Sequence, residues 1–402
     1  MSRVDDLIRE LCPEGVQRIP LTDLTGQVSR ISWSTKQSQE YQYIDLSSVD
    51  LASGKIEKTS VIDYAGAPSR AQQVVLDGDV IFATTRPTQL RCAVISREFD
   101  GQIASTGYCV LRPQEGKILT NYLAHCLRST DFLLFLEKHQ VPGNYPSISD
   151  KVLKGYEIWL PPRPVQEEIV RILDTFTELE EELKEELKAR TTQYEETRNR
   201  LTDFDFLEGH SLAGLIRDFC PEGVAYRQLF EITQVHKGEQ LKDEDFIEGP
   251  FPVVTASRKE LRAHVRSNFG PDVVTITSHG AYAGHVNYWE TKIWLANNVI
   301  HLEPNPSLLG SRFLYFALAS RQVEIEALAR GGGVPYFNSS DLLKVSVPVP
   351  PIPVQEEIVR ILDSFDSLVK DPSVGLPAEI AARRKQYEYY RDKLLNFDGL
   401  AA

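Results

Sequence analysis

The sequence predicts an internally duplicated chain of mixed α/β (α+β) class, with two globular domains and two long amphipathic helices. Three observations carry this reading. Two sequence blocks each occur twice, short β-branched runs fill the segments between them, and one block carries an apolar stripe at helical spacing. At about 150 residues per domain, 402 residues also exceed what a single core normally holds.

In chain order, LIRELCPEGV (Leu7 to Val16) opens the first segment and returns as LIRDFCPEGV (Leu215 to Val224). Residues 1–160 then read as a first domain, with strands in VVLDGDVIFATT (Val74 to Thr85) and a helix over Leu119 to His139. Residues 161–206 read as a spacer helix. After Pro161 and Pro162, Pro164 suits a first helical turn, Gln166-Glu167-Glu168 places acid near the N-terminus, and Val165, Ile169, Leu173, Phe176, Leu179, Leu183 and Leu187 form one stripe. From Pro164 to Leu201 such a helix spans ~57 Å, too long to pack wholly on a small domain.

Residues 207–349 form a second domain, with strands in PDVVTITS (Pro271 to Ser278) and KIWLANNVIHL (Lys292 to Leu302) and a helix over Leu308 to Arg330. Residues 350–402 repeat the spacer. PVQEEIVRILD is identical over eleven residues at Pro164 to Asp174 and Pro353 to Asp363, but Pro372, Gly375 and Pro377 interrupt the second copy. The shared stripe predicts that Ile169, Leu173 and Phe176 pack against Ile358, Leu362 and Phe365 as a two-helix coiled coil. Gln193, Tyr194, Gln386, Tyr387 and Arg391 are then candidates to face partner proteins.

Forty-four basic and fifty-seven acidic residues give a net charge of -13, which excludes a generic basic nucleic-acid coat. Nearly half of the excess acid lies in residues 161–206, so the two domains are close to neutral and have room for local basic faces. Thr84 to Arg97 carries Arg86 and Arg91 with Gln89 between them, and Ser257 to Arg266 carries Arg258, Lys259, Arg262 and Arg266. Arg and Gln are the side chains that read guanine and adenine edges, and Lys and Arg hold phosphates. An ordinary solvated face is the alternative for both runs. Loops before each Pro-Pro align on Pro146 and Pro335, adding Asn144, Tyr145 and Tyr336 as DNA-facing candidates. Five widely spaced cysteines read as reduced thiols, and the absence of a long apolar run reads as a cytoplasmic protein with no membrane partner.

Catalytic patterns are sparse. Asp272 followed by Glu290 and Lys292 matches the loose skeleton of Mg²⁺-dependent nucleases, yet Asp272 aligns with Asp79, which no such pair follows. A strand-entry turn accounts for it. His264, His279, His285 and His301 lack metal spacing and read as surface or satisfied core histidines, leaving no catalytic residue and no metal.

The duplicated PVQEEIVRILD blocks, the GLPAEIAARRKQYEYYRDKLLNF ending and the Pro-Pro closing each variable half resemble type I restriction-modification specificity subunits. TELE, EELK and EELK (Thr177 to Lys188) also resemble the tetrapeptide repeats of one subclass. The resemblance implies a non-catalytic subunit with two target recognition domains held apart by antiparallel helices in a pseudo-two-fold molecule. It implies double-stranded DNA with a bipartite asymmetric site as the ligand. It further implies two adenine-methyltransferase subunits bringing S-adenosylmethionine, and endonuclease/translocase subunits bringing ATP and Mg²⁺. No cofactor is expected on this chain. One tetrad adds ~6 Å of helix, comparable with one or two base pairs, so tetrad number suits a spacing device. A Mg²⁺ nuclease and a duplicated protein-binding scaffold are the competing readings.

Overall fold

Val80–Ala83 is apolar on both faces because it is covered on both. Val80 and Phe82 enter one core with the helices, while Ile81 and Ala83 enter a second core with Ile44, Ile95 and Ala104. The computed structural model describes residues 3–33, 39–51, 53–204, 212–256, 262–331 and 333–397. They divide into two compact units, residues 1–185 with 379–402 and residues 186–378. The four sequence segments therefore regroup, with each spacer segment contributing to a unit's core.

In the first unit, Val80–Ala83 lies between Tyr108–Pro113 and Cys92–Val94 in an antiparallel sheet completed by Thr25–Gly26. A second sheet has the order Ser60–Ile62, Tyr41–Ile44, Ile103–Ser105, Ala71–Val74, with its central pair parallel. The second unit repeats the first sheet with Thr233–Lys237, Val299–Pro304, Val273–Thr277 and Val286–Trp289. Its smaller sheet joins Ala263–His264, Glu248–Val254 and Trp294–Leu295, again with one parallel pair. The run from Lys292 to Leu302 is thus two strands in different sheets. The long helical stretches are also broken, into Thr120–Cys126 and Thr130–His139, with Ser129 capping the latter, and into Ser311–Ala319 and Gln322–Glu326.

The identical repeat is explained inside each unit. Arg163–Leu201 and Ile352–Lys370 are helices, and Gln166 and Gln355 near their starts are each only 2% exposed. Gln166 Oε1 accepts the Leu119 amide at 3.0 Å, and its Nε2 donates to the Pro161 carbonyl at 2.9 Å and the Lys117 carbonyl at 3.3 Å. Gln355 repeats all three, accepting from Gly310 at 2.9 Å and donating to Pro350 at 2.6 Å and Leu308 at 2.8 Å. A buried primary amide with three partners ties each repeat helix to the start of an earlier domain helix, Thr120–Cys126 or Ser311–Ala319. The CPEGV motif is a turn, with Gly15 and Gly223 in the left-handed region at φ 99° and 90° and their amides bonded to the Cys12 and Cys220 carbonyls.

The apolar stripe packs differently from the expected two-helix seam. Ile169 and Leu173 belong to the first unit's core with Tyr122, Leu123 and Leu395, whereas Ile358 and Leu362 belong to the second unit's core with Phe313 and Leu314. Phe176 and Phe365 are partly buried against those same cores. Each stripe is wide enough to dock on a domain, and burying it there satisfies the amphipathic pattern equally well. The second spacer breaks as anticipated, with helix Leu376–Leu394 following the turn at 371–375. Within the first unit it runs antiparallel to the central helix, Phe176 stacking on Tyr390 and Glu180 pairing with Arg384 at 2.6 Å.

Buried His125 clasps that pair. It lies 2.8 Å from Asp174 of the central helix and 2.9 Å from the Tyr387 hydroxyl. Burial holds the imidazole below the ordinary histidine range, against the opposing pull of Asp174. The neutral ring therefore donates from Nε2 to the carboxylate and accepts at Nδ1 from tyrosine. Burial alone would raise Asp174, but the His125 and Asn121 hydrogen bonds keep it below the usual carboxylate range.

An unfolded histidine titrates near pH ~6.5, so below that value the unfolded chain takes up a proton that folded His125 does not, and stability falls as pH drops. Hydrogen-exchange protection of first-unit amides should decline from pH ~7 to ~5.5, and His125→Phe, the residue found at the matching position as Phe316, should flatten that decline. The Asp174 contribution persists until pH falls below about 4.

Candidate nucleic-acid interface

The same loop pair is built in both units. In the first, the chain leaves Val80–Ala83, passes Thr85 and turns at Arg86, whose φ of 51° is unusual for a side-chain-bearing residue. The Arg86 amide donates to the Pro146 carbonyl at 2.7 Å, and the Ile148 amide to the Thr84 carbonyl at 2.9 Å. Val141 and Ser147 close the second loop on itself through both of their backbone groups. The Arg86 guanidinium lies 5.0 Å from the centre of the Tyr145 ring, a cation–π contact on a tyrosine that is 70% exposed. Asn144 is exposed beside it.

In the second unit the Gly280 amide donates to the Pro335 carbonyl at 2.8 Å, and the Phe337 amide to the Ser278 carbonyl at 3.2 Å. Arg330 and Tyr336 close that loop. The alignment on Pro146 and Pro335 therefore has a physical basis, because both carbonyls accept the amide just past the central strand. Where the first unit has arginine over tyrosine, the second stacks His279 on Tyr336 with ring centres 6.1 Å apart and planes 16° apart. Tyr336 is 45% exposed.

The remaining candidates are dispersed. Gln89 is exposed but lines a cleft against Arg128, Glu180 and Arg384 of its own unit. Arg91 is turned inward, its Nη1 donating to the Val49 carbonyl at 2.8 Å and to the Leu46 carbonyl, so it holds a turn. Arg262 pairs with Asp243 at 2.6 Å and lies 3.6 Å over the Phe246 ring, lining a cleft that also includes Lys242 and Asn298. Arg266 is exposed, and Arg258 and Lys259 lie outside the described residues.

Tyr194, Tyr387 and Arg391, expected to face partners, are instead buried within their own units, at 1%, 8% and 7% exposure. The two tyrosine rings complete the cores of their units, and Arg391 pairs with Asp392 at 2.8 Å. Gln193 and Gln386 are exposed.

The nuclease pattern does not assemble. Asp272 has φ 61° and accepts the Tyr288 hydroxyl at 2.6 Å, Glu290 is an exposed carboxylate 4.0 Å from Arg312, and Lys292 is exposed. Among the described residues no group of His, Cys, Asp and Glu is placed to hold a metal ion. Asp79, at the matching turn, is buried and bidentate to Arg112 at 2.7 and 2.9 Å. All five cysteines are buried free thiols, Cys92 being pushed up to about 11 by burial.

Sequence reasoning missed Gln166, Gln355, His125 and the placement of His279. The first two had a signal in their identical repeat context. His125 and His279 had none, because their partners lie at Asp174, Tyr387 and Tyr336.

Arg91→Ala should cost about 2 kcal/mol by leaving the Leu46 and Val49 carbonyls without their charged donor. Faster amide exchange over residues 46–49, with DNA sequence preference unaltered, is the expected outcome.

The family model for the type I restriction modification DNA specificity domain matches residues 14–189 and 221–381. The chain is 31% identical over 311 residues to the type I restriction enzyme EcoR124I/EcoR124II specificity subunit of Escherichia coli, covering 70% of this chain and 72% of that one. A chain from structural work on complex assembly and conformational transition of the type I R-M system is 25% identical, with a TM-score of 0.62 over 95% of this chain and 98% of that one. The S subunit of the type I restriction-modification system of M. genitalium shares the fold at 17% identity, with a TM-score of 0.57 over 95% and 96% of the two chains.

Proposed function

The chain belongs to the family of type I restriction-modification specificity subunits, and on that premise we propose that its two units read the two halves of a bipartite, asymmetric double-stranded DNA site. A specificity subunit is the non-catalytic member of such a complex, and a DNA specificity role is what the family assigns to this chain. One observation carries the finer reading. The two units present the same backbone loop pair with different side chains, Arg86 and Tyr145 in one and His279 and Tyr336 in the other. A common frame with unlike functional groups is what two different base sequences require.

The proposed partners are two adenine-methyltransferase subunits, which would bring S-adenosylmethionine, and endonuclease subunits, which would bring ATP and Mg²⁺. The target adenine would be flipped into the methyltransferase. The exposed Gln193 and Gln386 are the polar positions left for docking once the neighbouring tyrosines are buried. We assign the protein to the cytoplasm, where its DNA is; no helix among the described residues is long and apolar enough to cross a membrane. The EELK tetrads of the central helix are the proposed determinant of the gap between half-sites.

Methylated adenine mapped across the genome, with and without this gene, tests the role. Loss of one split motif on deletion is the expected result; an unchanged map with an active methyltransferase would move the protein-binding scaffold to the front.

Arg86→Ala should relax one half-site by about 1–3 kcal/mol and leave the other unchanged, read by binding to single-base variants of the mapped site. A loss uniform over all sequences would make Arg86 a phosphate contact.

A further inference from the structure

His279 stands at the second-unit loop pair with one of its ring nitrogens already committed. Its Nδ1 is 2.8 Å from Ser278 Oγ, and Ser278 Oγ is 2.9 Å from the Asn298 carbonyl oxygen. A carbonyl can only accept, so the serine hydroxyl gives its single proton to Asn298. With that proton spent, the hydroxyl oxygen can only accept from Nδ1, and both contacts are attractive only if Nδ1 carries the hydrogen. In the neutral imidazole the other nitrogen, Nε2, is then a bare acceptor. It lies on the ring edge away from Ser278, His279 is exposed, and Nε2 has no hydrogen-bond partner among the described residues.

The mount is rigid. The Ser278 amide also donates to Asn298 at 2.9 Å, His279 bridges to Tyr336 through the backbone, and the ring is stacked on Tyr336. Gly280, at φ 100°, carries the chain away immediately after the ring.

We infer that His279 is a specificity-determining residue of the second unit, presenting Nε2 as an acceptor to the exocyclic amino group of one adenine or cytosine. This rests on the DNA-reading role proposed above. A bare acceptor discriminates by chemistry. Phosphate oxygens, thymine O4 and guanine O6 and N7 are themselves acceptors and give it nothing, whereas adenine N6 and cytosine N4 are the major-groove donors. The second unit thus differs from the first in kind, since Arg86 offers only donors.

The test uses the full chain assembled with its methyltransferase subunits, at mildly alkaline pH, binding its own duplex site. In the half-site indifferent to Arg86→Ala, each deoxyadenosine is replaced singly by purine 2′-deoxyriboside and each deoxycytidine by 2-pyrimidinone 2′-deoxyriboside, which remove only the amino group. Wild type should lose roughly tenfold in affinity at one position beyond the effect on the variant. His279→Phe, which keeps a ring against Tyr336, should show no further loss there, because it lacks the acceptor already. Weakening of the base pair itself is common to both proteins and cancels. Ser278→Ala, which frees Nδ1, should give an intermediate loss at the same base, and unchanged discrimination at the first half-site shows that each variant complex is folded. Equal sensitivity of wild type and His279→Phe at every position, or a sequence-independent loss in the variant, overturns the assignment of His279 alone. A wild-type complex with no sequence preference anywhere overturns the DNA-reading role itself.

Discussion

A buried glutamine amide at the head of each repeat helix is the constraint on which the rest of each unit depends. Gln166 and Gln355 each take up one amide and two carbonyls at the point where a domain helix begins, and those groups would otherwise be unsatisfied. Satisfying them fixes where the repeat helix leaves the domain, and Val165, Ile169 and Leu173, or Val354, Ile358 and Leu362, then bury fully along it. Glutamate would bring a charge and lose the donors, and asparagine would fall short by a methylene. That is a physical reason for PVQEEIVRILD to be identical in halves that otherwise diverge.

Beyond the clamp, the two units solve the same docking problem with different chemistry. In the first, neutral His125 and Asn121 hold Asp174. In the second, Arg312 holds Asp363 at 2.7 Å and Asp366 at 3.1 Å, with Lys370 on Asp366 at 2.7 Å. Phe316 fills the place His125 occupies, and the Arg312 guanidinium lies 4.9 Å over its ring. Permanent charges sustain one seam and a titratable ring the other.

What the sequence disclosed and what it withheld follow from the range of the interactions. The duplication, the strand-bearing middles, the long helices and the break at Pro372 to Pro377 are written in local pattern and turn chemistry, and they were legible. An amphipathic stripe states that a helix has a buried face but not against what, so the pattern alone pairs Ile169 with Ile358, whereas each is buried in the core of its own unit. The same limit applies to the candidate interface. Arg86 and Arg91 are five residues apart and chemically identical, yet only the strand geometry turns one outward and the other onto the Val49 carbonyl. His279 read as an ordinary surface histidine because Asn298 and Tyr336, which give it a role, are distant in sequence.

The first unit consists of residues 1–185 together with 379–402. His125 and Tyr387, 262 positions apart, meet in its interior, and Leu395 and Phe397 are buried in the same core. During synthesis, residues 1–185 must therefore wait for residues 379–402, which are translated later. While the ribosome translates the intervening stretch, the faces that Tyr387, Leu395 and Phe397 will cover stand open to water, whereas every residue of the second unit has been translated before Glu379 is added. The order of completion is the reverse of the order of translation. Loss of the chain from Glu379 onward would accordingly injure the unit whose larger part is translated before the second unit.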